Sequence, residues 1–286
     1  MVLGGTGVWS APLRYGDAGA AAEAASEFEE LGFSALWVPD VGGDVFGRVE
    51  SLVAATEKTV VATGILNLWM HEATETALRC AEIGPRFLVG IGVSHAVLID
   101  AKEPGTYRRP LAAMTSYLDA LDASDPPLPV EQRVLAALGP KMLELARDRA
   151  DGAHPYLANP EHTHFARSVL GTGSLLAPEQ AAVLTTDVED AHRIARGYLT
   201  TYLTLPNYTN NLRRLGYEED DFLAGGSDRL VDALVVSGDE QAIAARVQAH
   251  RDAGADHVCI QLLTEEPGSF ALDSWRRLAP ALTSGS

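Results

Sequence analysis

"VVATGILNLWM" (residues 60–70) is an apolar, β-branched run that breaks at Gly64, resumes as Ile65-Leu66-Asn67 and ends on Leu68, Trp69 and Met70. Its first half lacks any polar–apolar alternation and so reads as a strand buried on both faces. A glycine inside such a strand marks a bulge, or a place where another backbone or a ligand comes close. Asn67 and Trp69 then stand where the strand reaches a rim.

Seven further runs of this kind flank it, at 3–9, 35–38, 87–92, 134–138, 152–156, 179–184 and 257–262, with 60–67 third in order. Between them apolar residues recur at helical spacing, most clearly over 17–31, 49–58, 73–83, 140–150 and 239–253. Asp17 and Asp239 are placed to cap the first and last of these helices, and Gly32 and Gly254 to end them. Eight strand-then-helix repeats whose strands have no wet face fit a closed parallel barrel better than an open sheet. The sequence therefore predicts an α/β fold, a TIM (β/α)8 barrel with insertion segments, as a single domain over 1–286. Residues 200–237 fit the repeat worst and read as a helical insertion of two or three short helices, covering either the barrel mouth or a subunit contact. Residues 122–131, with three prolines, read as an irregular link.

The 286 residues are 47% hydrophobic and 21% charged, which suits a wholly globular chain. Against 39 Asp and Glu stand 22 Lys and Arg, a net charge of −17 that repels nucleic-acid backbones and anionic membranes alike. No apolar run approaches the roughly 18 residues of a membrane span. Arg14 and Asp17 interrupt the first twenty residues, so a soluble, cytoplasmic protein is expected. Cys80 and Cys259 have no CxxC partner and read as buried small hydrophobes. None of the eight histidines has metal-ligand spacing, and no metal is predicted.

In a barrel, ligands bind where the strands end, so the residues just after each run carry the chemistry. These are Trp9 and Ser10, Asp40, Asn67 with Trp69 and His71, Ser94 and His95, Gly139 to Lys141, and Tyr156 with Asn159. "LVGIGVSH" (88–95) lacks the third glycine of a dinucleotide fingerprint. Gly90 and Gly92 instead let either a flat ring or a neighbouring backbone come close. "ALGPKM" (137–142) leads through Gly-Pro into a helix whose N-terminal end would face the mouth, either as an anion site or as an ordinary helix start. His71 and His95 are either proton donors or hydrogen-bonded structural groups. Without a GxSxG elbow, acyl transfer has no support.

Six blocks in order, "GFSALWVPD" (32–40), "VATGILNLW" (61–69), "RFLVGIGVSH" (86–95), "VLAALGPKMLELARDRADGAHPYL" (134–157), "LLAPEQAAVL" (175–184) and "DEQAIAARVQAHRDAGADHVCIQLL" (239–263), resemble the bacterial luciferase-like flavin monooxygenase superfamily. Within it they are similar to the branch of oxidoreductases using the deazaflavin coenzyme F-420. The resemblance implies a hydride transferred between the deazaflavin and a small organic substrate, with FMN-dependent, two-component monooxygenation as the alternative. A third reading is a non-catalytic flavin-binding barrel. It also implies a homodimer, and a cis peptide at Gly64–Ile65 pressing on the cofactor ring; a plain bulge with a trans bond is the other reading of that glycine. By position, Asp40 approaches the ring, Asn67 and Trp69 border its pocket, Gly90, Gly92, Ser94 and His95 flank it, and Ala137, Leu138, Gly139, Pro140 and Lys141 bind the cofactor phosphate. Asp40, His71 and His95 are the implied catalytic set. Asp44 stands where sugar-phosphate dehydrogenases of the branch carry tryptophan, and "GIGVSH" holds no glutamate, so glucose-6-phosphate is not implied.

Overall fold

The computed structural model describes residues 3–283; residues 1, 2 and 284–286, the ends of the expected 1–286 unit, lie outside the described residues. In chain order the strands are β1 (Thr6–Trp9), β2 (Ala35–Val38), β3 (Val60–Thr63), β4 (Leu66–Asn67), β5 (Phe87–Gly92), β6 (Arg133–Leu135), β7 (Gly152–Ala153), β8 (Leu175–Leu176), β9 (Glu179–Val183), β10 (Val235–Ser237) and β11 (Val258–Leu262). Every ladder between them is parallel.

The sheet closes on itself through one interrupted strand. β8 pairs with β7 and β9 pairs with β11, and only Ala177 and Pro178 separate β8 from β9. Across the break Ala177 N donates to Ala153 O at 2.9 Å, and Cys259 N donates to Pro178 O at 3.0 Å. Counting β3 with β4 and β8 with β9 as single staves, the circle has eight, as the sequence predicts for a TIM barrel.

Side chains alternate between two layers, as the pleat requires. Leu36, Val38, Val89, Leu135 and Ile260 face the surrounding helices, while their neighbours Trp37, Leu88, Val134 and Cys259 fill the barrel. Polar groups share that narrow interior. The His154 ring stacks on Trp37 with centroids 4.1 Å apart, and Trp37 Nε1 donates to His257 Nε2 at 3.1 Å. Both cysteines are buried and unpaired, as expected from their isolation in the sequence.

Several boundaries differ from the sequence reading. The sixth strand, expected over 152–156, shrinks to two residues because Pro155 has no N–H to donate. The seventh, expected to start at 179, has Leu175–Leu176 in front of it. The helix expected over 49–58 is Val45–Ala54, since Asp44 accepts from Gly47 N and starts it early. The insertion at 200–237 contains the expected short helices, Pro206–Arg214 and Asp228–Leu234. Its end, however, is the strand β10 laid parallel on β9. Asp17 and Asp239 cap their helices as expected.

Candidate functional site

The C-terminal ends of the strands open into a cavity of about 1270 Å³, above the roughly 300–1000 Å³ of ordinary ligand pockets. Asp40, Gly64, Ile65, Asn67, Gly92, Ser94, His95, Ala137, Leu138, Gly139, Pro140 and Lys141 all line it. Gly90, His71 and Trp69 are not among its lining residues.

One side of the cavity is a backbone ledge. Between β3 and β4 the Gly64–Ile65 peptide is cis, as the resemblance implies. Trp9 Nε1 donates to Gly64 O at 3.1 Å, and Gly64 N donates to Val38 O at 2.8 Å. No side chain fits at 64, because an ideal Cβ would stand 2.7 Å from Trp9 Nε1 and 2.9 Å from His154 Nε2. A Cβ at Gly90 would come within 2.0 Å of Thr63 O, and one at Gly92 within 2.5 Å of Ile65 Cδ1. Gly90 thus admits the neighbouring backbone, the second of the alternatives left open by the sequence, and Gly92 both makes room for Ile65 and faces the cavity. Trp69 turns away, donating from Nε1 to Val93 O at 2.8 Å.

Asp40 is the buried carboxylate of the site, 5% exposed. Burial opposes its ionisation, but the His71 hydrogen bond, the Asn67 N–H, the His71 charge and the Gly42 N–H together hold the carboxyl below its ordinary value. His71 Nε2 lies 2.8 Å from Asp40 Oδ2, so His71 stands behind the carboxylate and orients it. His95 faces the cavity itself. Burial pushes it down to about 4, leaving a neutral imidazole near pH 7, and its Nδ1 has no partner. Asn207 Nδ2 donates to Ser94 O at 3.0 Å, tying this loop to the insertion.

Another part of the lining gathers positive charge. Gly139 caps the helix Pro140–Arg149 with no side-chain bond, and no acidic residue occupies that helix's first turn. Its N-terminal dipole therefore faces the cavity uncompensated. Arg214, from the insertion helix Pro206–Arg214, brings its guanidinium to 3.4 Å from where a Gly139 Cβ would sit. Arg214 donates to Asn211 Oδ1, and among the described residues neither it nor Lys141 has an ion pair. On the rim Arg193, by contrast, is neutralised by Asp190 and Glu265. His162 Nε2 donates to Leu138 O at 3.0 Å and braces this loop from behind.

A third wall is phenolic. The rings of Tyr202 and Tyr208, from the insertion, lie 5.5 and 6.2 Å from that of Tyr156, and the Tyr198 ring, on the same helix Val188–Tyr202 as Tyr202, lies 4.9 Å from the Tyr202 ring. Of these only Tyr156 stood out in the sequence, because it follows a strand. The other three come from 42 or more residues downstream, and Arg214 from further still, so no local pattern joins them to the site. Among the described residues no group of three His, Cys, Asp or Glu is placed to hold a metal, and no helix is long and apolar enough to cross a membrane.

No protein-family model matches the chain. A curated relative, the 5,10-methylenetetrahydromethanopterin reductase of Methanolobus tindarius, is 25% identical over 176 residues, 51% of this chain and 52% of that protein. The chain thus spans about half the length of that relative in the match. Solved structures align over nearly the whole barrel. The coenzyme F-420-dependent tetrahydromethanopterin reductase of Methanopyrus kandleri gives a TM-score of 0.74 at 16% identity, covering 98% of each chain. The fold is the luciferase-like barrel.

Other luciferase-like barrels align as fully. An F-420-dependent secondary alcohol dehydrogenase in complex with an F-420-acetone adduct gives 0.72 at 15% identity, over 98% of this chain and 99% of that one. The oxygenating constituent of 3,6-diketocamphane monooxygenase from Pseudomonas putida, in complex with FMN, gives 0.70 at 11%, over 98% of both.

Proposed function

We propose that this luciferase-like barrel is an oxidoreductase that binds coenzyme F-420 in the mouth cavity and moves a hydride to or from a small organic substrate. The observation that carries this reading is the pairing of a side-chain-free ledge at Gly64 with an unneutralised cationic end at Gly139, Lys141 and Arg214. A flat ring with an anionic tail matches both ends, one by shape and the other by charge. The partial sequence match to a methylenetetrahydromethanopterin reductase, together with the likeness to the coenzyme F-420-dependent tetrahydromethanopterin reductase, supports the deazaflavin.

Bound there, the deazaflavin would supply hydride chemistry at carbon 5 with little reactivity toward oxygen. The chain's part is to position, to exclude water and to handle a proton. The Gly64–Ile65 ledge and Asn67 support the ring, and Lys141, Arg214 and the helix end hold the tail. Asp40, kept ionised and fixed by His71, presents a permanent acceptor. His95, kept neutral near pH 7 by burial, lines the cavity as an uncharged imidazole.

A second reading, an FMN-dependent monooxygenase, is supported by the likeness to the FMN-bound camphane enzyme. Titrating the purified protein with F-420 and with FMN, followed by fluorescence, separates the two. F-420 is expected to bind more tightly, and Arg214→Ala to weaken it about 10- to 100-fold, the worth of a hydrogen bond to a charged group. Tight binding of FMN alone would overturn the deazaflavin assignment.

A further inference from the structure

We infer that the phenolic wall is the substrate subsite, and that it selects an uncharged carbonyl compound whose oxygen is received by the side-chain amide of Gln261. This rests on the cofactor reading above and specifies the substrate of the same cavity.

The direction of the hydrogen bonds carries the argument. Gln261 Oε1 can only accept, and Tyr156 donates to it at 2.7 Å. With its one proton committed, Tyr156 Oη is left as an acceptor. Tyr198 donates to it at 2.9 Å, and the Tyr202 hydroxyl lies 3.1 Å away. The protons of Tyr156, Tyr198 and Tyr202 therefore run inward and end on the amide oxygen. What remains for a ligand is the amide N–H of Gln261 and the hydroxyl of Tyr208, neither of which has a hydrogen-bond partner among the described residues, and the ring faces of Trp9, Tyr156 and Tyr208.

Charge points the same way. Burial, the largest cause, pushes the hydroxyls of Tyr156, Tyr198 and Tyr208 well above their ordinary value, so none ionises near neutral pH. Glu179, 1% exposed and within electrostatic range of these phenols, is itself pushed up to about 8 by burial. This end of the cavity is thus neutral, apolar-faced and equipped with a free donor, while a protein of net charge −17 gives an anion no general attraction. A carbonyl group on a compact apolar body meets every feature. A carboxylate would have to be stripped of water without a cation to meet it.

Calorimetric titration of the wild-type protein with cyclohexanone, methylenecyclohexane and cyclohexanecarboxylate, with and without saturating F-420, tests this. The ketone is expected to bind about tenfold more tightly than the isosteric hydrocarbon, the worth of one neutral hydrogen bond, and the carboxylate more weakly than the ketone. Gln261→Leu should bring the ketone down to the hydrocarbon's affinity while leaving F-420 binding unchanged. Tyr156→Phe, which keeps the amide but frees its oxygen, should cost the ketone about threefold. Equal affinity for ketone and hydrocarbon, preference for the carboxylate, or no binding of any probe would overturn the inference. Failure of F-420 to bind would strike the cofactor reading instead, because ketone selectivity is read in the cofactor-free protein as well.

Discussion

Gly90 passes directly beneath the main chain of Thr63: Thr63 Oγ1 donates to Gly90 O at 2.9 Å, and a Cβ on Gly90 would lie 2.0 Å from Thr63 O. The obstacle is backbone, so a side-chain rotation cannot relieve it. Gly90→Ala is therefore expected to cost about 3 kcal/mol or more of stability, at or beyond the upper range for overpacked cores. Because Thr63 leads straight into the Gly64 ledge, the same change should abolish cofactor binding in whatever protein still folds. Urea unfolding and an F-420 titration of the variant check both; an unfolding midpoint like the wild type's would show the contact to be soft.

How far this site could be read from sequence depends on the distance over which each feature is encoded. The ledge was legible because its glycine interrupts a β-branched run, and Asp40 and the 137–141 loop because each directly follows a strand. His71 carried the same signal, yet the chain turns after Asn67 and puts its ring behind Asp40. The tyrosine wall was not legible. Tyr202 and Tyr208 meet Tyr156 only once the insertion folds over the mouth, Tyr198 comes from the helix that leads into it, and the helical spacing there matches that of any amphipathic surface helix. The strands were mistaken at 152–156 and 175–176 for a backbone reason: Pro155 and Pro178 each remove a donor and shorten the regular ladder.

The Asp40–His71 pair gives a second expectation. Asp40 is buried, and its lowered pKa places the benefit of that ion above its unfolded value near 4, to be lost as pH falls through the lower folded value. Removing the imidazole with His71→Ala leaves Asn67 N and Gly42 N as its donors. The carboxyl should then titrate at higher pH, the acid limb of stability should move upward, and about 1–3 kcal/mol should be lost at pH 7. His71→Gln, which can restore a donor, should recover part of that loss. If both variants match the wild type, the pair does not hold the carboxylate.

Glu179 works in the opposite sense. Its Oε2 accepts from Leu157 N at 3.2 Å and its Oε1 has no partner, and burial, only partly offset by that bond, raises the group to about 8. The unfolded chain ionises near 4.3, so from there to about 8 the folded state holds the extra proton and stability declines as pH rises. By pH 8 the cost is on the order of a few kcal/mol. Glu179→Gln removes the ionisable group at nearly constant volume. The variant should be more stable than the wild type at pH 8 and about equal to it at pH 5, as read from urea midpoints; a uniform loss at both values would place a needed charge at this position.

Four fully buried histidines set the acid side. His154 and His257 are pushed down to about 4, His250 to about 3, and His162 below its ordinary value, with burial the largest cause in each. Unfolded histidines bind protons below about 6.5, so between 6.5 and about 4 the unfolded chain holds protons that the folded chain refuses. Stability is complete above 6.5 and falls as pH drops through that window. Glu179 opposes this by one proton, leaving these five groups with a net uptake of about three on unfolding, or about 4 kcal/mol per pH unit. In Glu179→Gln that opposition disappears and the slope should steepen to about 5 kcal/mol per unit. Unfolding midpoints from pH 6.5 to 4.5 in both proteins measure the two slopes; equal slopes would mean that Glu179 is already ionised in the fold, and a flat profile would mean that the histidines are not buried neutral.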